Sequence, residues 1–171
     1  MKKISQTKRL TYLTMLLAMS ILLHMIEPAL PIAVPGIKLG LANILGIIVL
    51  YLFGVKEMLI INFMRVLLAS LLRGTLFGTA FWLSIGGVSL SSLVVIILFK
   101  VNIFSKIGLS VASAAFHGVG QIIALIFINQ TVMMVYWLPI LWFSSVPTGY
   151  LTGSLADQVL KRIRLPKLMV K

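Results

Sequence analysis

Six apolar stretches follow one another along this chain, with little more than a proline, a glycine or a short polar link between them. That succession constrains the fold more than any single motif. A helix needs about 20 apolar residues to cross the hydrocarbon core of a bilayer. Inside lipid every backbone amide must be paired, a condition that helices meet within one segment. The stretches run from about Leu10 to Ile26, from after Pro35-Gly36 to Phe53, and from Lys56-Glu57 to Arg73-Gly74. The next three run from about Thr79 to Phe99, from Ile107 to Ile128, and from Val132 to Ala156. Glu27-Pro28, Gly54, the link Lys100 to Lys106 and the pair Asn129-Gln130 punctuate them. Gly86-Gly87 is expected to break or kink the fourth helix, and Pro139 and Pro147 to kink the sixth, as a bundle in lipid tolerates. The fold expected is an all-α membrane protein, a bundle of six transmembrane helices. It divides into a basic tail over 1–9, a transmembrane domain over 10–156 and a second basic tail over 157–171.

Composition supports lipid as the solvent. Sixty per cent of the residues are hydrophobic and 11% are charged, against roughly a quarter charged in soluble domains. The mean hydropathy is +1.12. The net charge of +12 arises from 15 bases against three acids, Glu27, Glu57 and Asp157. In a soluble protein such an excess would suggest a nucleic-acid partner. Here the bases lie at span ends and in the tails, which is the positive-inside pattern of a membrane protein, and no nucleic acid is implied. With the N-terminus cytoplasmic, the inner side holds Lys2, Lys3, Lys8, Arg9, Lys56, Lys100, Lys106, Lys161, Arg162, Arg164, Lys167 and Lys171. The outer side holds Lys38 and Arg73, and Arg65 falls within a span. Both termini are therefore expected in the cytoplasm of a cell-membrane protein. The N-terminal MKKISQTKRL resembles the start of a signal peptide, but the apolar run meets Glu27-Pro28 without a small-residue cleavage site, so it reads as a retained first helix.

The outer half collects the unusual polar residues. Lys38 stands in PGIKLGLANI at residues 35–44, against the charge rule, and Asn43 follows one turn on. Arg65 is expected about 12 Å into the third helix at about 1.5 Å per residue, near mid-membrane, where an arginine costs at least about 2.5 kcal/mol to insert. Asn62 precedes it by three residues on the same face, and Arg73 lies nearer the outer end. His117 and Gln121, four apart, share a face of the fifth helix, and His24 and Glu27 close the first. Each residue also has a structural reading. Lys38 and Arg73 would snorkel to headgroups, Arg65 would pair with Asn62 or carbonyls, and His117 and Gln121 would bond neighbouring helices. His24 and Glu27 would pair with each other. Taken together, three bases against one outer acid suit an anionic ligand.

Small residues carry a second signal. Thr14 and Ala18 form a small-xxx-small pair on the first helix, open to internal packing or to a partner. Gly108, Ala112, Ser113, Ala114 and Gly118 on the fifth helix, and Gly149 and Gly153 on the sixth, are expected to pack internally. With no cysteine, no GxxxxGK[ST] and no HExxH, thiol chemistry, a P-loop ATPase and a zinc protease are excluded. No cofactor is implied. A prenyl-diphosphate synthase needs paired aspartates to hold magnesium, and this chain has one aspartate, so the protein is read as not an enzyme.

The segments PGIKLGLANI (35–44), LFGVKEMLIINFMRVLLASLLRGTLFGT (52–79), LSIGGVSLS (83–91) and ASAAFHGVGQ (112–121) resemble the Gx transporter family, also described as heptaprenyl diphosphate synthase component I. That family is similar to the substrate-binding S components of energy-coupling factor (ECF) transporters. The resemblance covers about Leu10 to Leu155. It implies capture of a small molecule from outside, with an ECF T subunit and two cytoplasmic ATPase subunits as partners beside the membrane lipid. It also implies Lys38, Asn43, Arg65, Arg73, His117 and Gln121 as substrate-binding residues. Thr14 and Ala18 stand where S components carry an AxxxA-type docking patch, with Thr14 departing from it. Candidate cargoes are an isoprenoid or quinone precursor, a flavin-like compound or haem. The competing readings are a noncatalytic membrane subunit of a prenyl (heptaprenyl) diphosphate synthase and a self-contained facilitator.

Overall fold

The computed structural model describes residues 5–26 and 42–163, and every regular element among them is helical. Six α-helices follow in order: α1 (Gln6–Ile26), α2 (Asn43–Leu52), α3 (Val55–Leu72), α4 (Thr79–Val101), α5 (Lys106–Asn129) and α6 (Leu138–Arg162), the last preceded by a 3-10 helix, Val132–Trp137. Four segments are long and apolar enough to cross a membrane: α1, α4, α5 and the continuous stretch Val132–Arg162. α2, at ten residues, and α3, which carries Lys56, Glu57 and Arg65, are not among them.

The punctuation acts through backbone geometry. Gly54 takes φ 108° between α2 and α3, a conformation that side chains resist. Asn102 (φ 57°) and Gln130 (φ 49°) end α4 and α5 in the left-handed region. Ser105 caps α5, its Oγ accepting from the Gly108 amide at 3.1 Å. Three expectations need correction. α4 runs unbroken through Gly86-Gly87, because the pair serves contact with α5. The stretch before Pro139 is a 3-10 helix, and Pro139 opens α6, where its missing N–H costs nothing. α6 also continues past Ala156 to Arg162, carrying Asp157 and Lys161 on one face at i,i+4. The turn at Pro35-Gly36, Glu27 and Lys38 lie outside the described residues.

Polarity is inverted relative to a soluble bundle. α1 buries only Ser20 and His24, while Leu10, Met15, Met19, Leu22 and Ile26 are exposed. On α6 Phe143 is 87% exposed and Ser145 and Thr152 are buried. A helix that hides its hydroxyls and shows its large apolar side chains is suited to lipid.

The two ends differ. At one end Ile47, Val49, Leu50, Phe53, Met58, Val95, Leu109 and Ala156 form a closed apolar core. Around it Arg9 pairs with Glu57, and Lys106 and Lys161 each reach Asp157 at 2.6 Å. Lys106 also lies over the Tyr51 ring, which meets Phe99 edge-on. These contacts bring the starts of α1, α3 and α5 and the ends of α2, α4 and α6 to one basic end. At the other end a smaller cluster, Val66, Phe81 and Val88, joins α3 to α4.

Helices α4, α5 and α6 pack backbone to backbone. A methyl group at Gly86 would stand 2.6 Å from the Gly120 carbonyl oxygen, and one at Gly149 2.6 Å from Val111 Cα. Ser110 and Thr152 share a hydrogen bond of 2.9 Å across the α5–α6 seam. Gly149→Ala is therefore expected to destabilise by about 1–3 kcal/mol through overpacking. Gly118→Ala, whose methyl would meet Leu141 at an ordinary 3.5 Å, is expected to be near neutral. Thermal unfolding of both variants in detergent checks the contrast, and equal melting points would refute it.

Candidate functional site

The inward face of α3 presents Met58, Ile61, Asn62, Arg65, Val66 and Ala69, a helical repeat with two strongly polar members. Arg65 is 1% exposed, the largest of the fully buried side chains. Its Nη2 donates to Asn43 Oδ1 at 3.0 Å. Asn43 is the first residue of α2, and Ala42 before it makes no side-chain cap. The guanidinium thus lies at an amino-terminal helix end that carries its own partial positive charge. One turn toward the basic end, Asn62 Nδ2 donates to Ser92 Oγ of α4 at 3.1 Å.

Glycines make room for these side chains. A methyl at Gly46 would stand 2.7 Å from Asn62 Oδ1, and one at Gly87 2.6 Å from His117 Cε1. His117 is seated over α4 in that notch. Gln121, one turn further along α5, is also buried, and its Nε2 has no hydrogen-bond partner among the described residues.

Of the six residues expected in a site, the structure joins Arg65 and Asn43 directly. His117 and Gln121 lie on the inward face of α5. Arg73 is elsewhere. It is exposed beyond the end of α3, and its Nη2 donates to the Met25 carbonyl at 2.6 Å, supplying one of the orphan carbonyls at the end of α1. Lys38 lies outside the described residues. Thr14 and Ala18 are both exposed on α1, with Thr14 Oγ1 bonded back to the Leu10 carbonyl at 2.9 Å. Gly149 and Gly153, by contrast, press on Val111 and Ile107 inside the bundle.

Three participants were not singled out from the sequence as part of a site: Gly46, Gly87 and Ser92. Gly46 follows Asn43 by three residues and shares its face, a signal that spacing alone could supply. Gly87 and Ser92 become visible only when α4 is laid against α3 and α5.

The buried side chains of Asn43, Asn62, Arg65, Ser92, His117 and Gln121 form a polar belt in the bundle, and it is closely packed. Asn43, Gly46, Ile47, Met58, Asn62, Ser92, Val95 and Ser113 enclose a cavity of about 10 Å³. A far larger concavity of about 610 Å³ lies between α4 and α5, open and lined by Trp82, Ile85, Leu90, Leu93, Ile123 and Phe127. Its lining is almost wholly apolar and offers few polar groups to a charged ligand. No group of three metal-ligating side chains occurs among the described residues. The acids Glu57 and Asp157 are engaged at the basic end with Arg9, Lys106 and Lys161. Replacing Asn43 with leucine removes an acceptor from a buried cation, and the expected loss is about 1.5–3 kcal/mol. A thermal unfolding midpoint equal to that of the unaltered protein would show that the bond carries no stability.

No curated protein and no solved structure matches the chain. A family model described as heptaprenyl diphosphate synthase component I matches residues 16–159, a span that takes in the second half of α1, most of α6 and all the helices between them. The chain belongs to the heptaprenyl diphosphate synthase component I family.

Proposed function

We propose that this protein is a membrane-embedded binding subunit that captures a small anionic or amphipathic molecule at the outer side of the polar belt. One observation carries the reading: Arg65, fully buried, sits at the amino end of α2, where Ala42 offers no side-chain cap. Two sources of positive potential converge there in a low-dielectric site, and both favour an anion. The buried amide N–H of Gln121 adds a donor without an acceptor among the described residues. Lys38 and His117 complete the proposed set, while Arg73, bonded to the Met25 carbonyl, adds positive charge at the rim without joining the buried groups.

Six membrane-crossing helices with both termini cytoplasmic fit this reading. Lys8, Arg9, Lys56, Lys100, Lys106, Lys161 and Arg162 belong to the end closed by the apolar core, which is the end the positive-inside pattern assigns to the cytoplasm. The ligand would then meet the polar belt from outside and the apolar plug would bar its exit inward. Release calls for an external energy source, which an ECF T subunit and two ATPase subunits would supply. The exposed pair Thr14 and Ala18 on α1 is the proposed docking patch.

The family description favours a second reading, a noncatalytic membrane subunit of a prenyl diphosphate synthase. That subunit would bind an aspartate-rich soluble enzyme, and the basic end is the surface suited to it.

Purification from the native membrane in mild detergent, with mass spectrometry of co-eluting proteins and small molecules, separates the two. Co-elution of a T subunit and ATPases with a bound anion is the expected result. A co-eluting prenyl synthase and no anion would replace it with the second reading. Arg65→Gln is expected to weaken retention of the bound anion by about 10–100-fold, the loss of one charged hydrogen bond. Neutralising Lys38, Arg65 and Arg73 together is expected to abolish uptake, and undiminished uptake would remove the anion site.

A further inference from the structure

The small cavity beneath Arg65 has a chemistry of its own. Asn43 Nδ2 and Asn62 Oδ1 are both buried without a hydrogen-bond partner among the described residues, and both side chains line it. Each residue is at least nine-tenths buried. One atom is a donor and the other an acceptor. Ser92 and Ser113 supply hydroxyls, and Met58, Ile47 and Val95 close the apolar side. Buried amide atoms left without partners are costly, because each gives up its hydrogen bonds to water.

We propose that this cavity is a binding site for one ordered water molecule, which accepts from Asn43 Nδ2 and donates to Asn62 Oδ1. The volume of about 10 Å³ is near the minimum of about 10–15 Å³ that one water requires. The mixed lining selects for water. A cation would face the Asn43 amide N–H with the Arg65 guanidinium one residue contact away, and an anion would face the Asn62 carbonyl. Exchanging the Asn62 amide end for end, so that Oδ1 accepts from Ser92, leaves an N–H in the cavity for which water is the acceptor.

The water completes a chain of hydrogen bonds from Arg65 through Asn43 and Asn62 to Ser92, and so links α3, α2 and α4. By accepting from Asn43 it polarises the carbonyl that receives the guanidinium, a cooperative strengthening. The chain forms the floor of the polar belt, directly above the apolar core that Met58 and Val95 share. This inference stands on the cavity and its two amides and does not require the ligand reading.

Two measurements on the full chain test it. A structure determined at a resolution that shows ordered solvent is expected to place one peak within hydrogen-bond distance of both amides. A direct Asn43–Asn62 bond, or a peak that changes when sodium in the buffer is exchanged for potassium, would overturn the proposal. Hydroxyl-radical footprinting by X-ray radiolysis, in detergent, reads the same water through its neighbour. Met58 is 1% exposed, yet it is expected to be oxidised rapidly by radicals formed in the cavity. In Asn62→Leu, with a monodisperse elution profile, that oxidation is expected to be lost. A wild-type Met58 that stays unmodified would also overturn the proposal, whether or not the variant folds.

Discussion

A guanidinium in the interior of a lipid-facing bundle is the constraint around which the rest is arranged. Arg65 cannot be satisfied by apolar packing, and removing such a cation from water costs several kcal/mol unless polar partners surround it. Asn43 provides one, and that bond ties the amino end of α2 to the middle of α3. α2 is short and almost wholly buried, so its position decides where its helix end points. The neighbouring amides and hydroxyls then follow: a polar group next to a buried charge must itself be paired, which draws Asn62 to Ser92.

The opposite end solves a different problem. There the charges lie at the perimeter, in the Arg9–Glu57 and Lys106–Asp157–Lys161 contacts, and the centre is hydrocarbon. The partly exposed pairs contribute little energy individually. They bring together helix ends that are distant in sequence, and the apolar core between them seals the bundle. A molecule held at the polar belt would be separated from the basic end by that core.

Glycine sets how closely the helices meet. Lipid offers no hydrophobic drive for helices to associate, so close van der Waals contact has to supply it. At Gly86–Gly120 and Gly149–Val111 backbones touch without intervening side chains. At Gly46 and Gly87 the same absence of a side chain admits Asn62 and His117 instead. One residue type therefore packs the bundle and accommodates its polar interior.

The residues alone determined the helical class, the apolar helices suited to lipid and most helix ends, because hydropathy, charge and turn chemistry act over a few neighbours. Asn129-Gln130 as a stop and Asn62 on the Arg65 face were legible for that reason. The role of Gly86-Gly87 was not, since a glycine pair expected to interrupt the helix lies within a continuous α4 and brings it close to α5. Nor could spacing reveal that Arg73 reaches the end of α1 while Arg65 reaches the start of α2. Arg65 lies within α3 and Arg73 caps its end, the two about 12 Å apart by the helical rise. Which partner each one meets depends on chain segments more than 20 residues away, and only tertiary packing brings those within the length of a hydrogen bond.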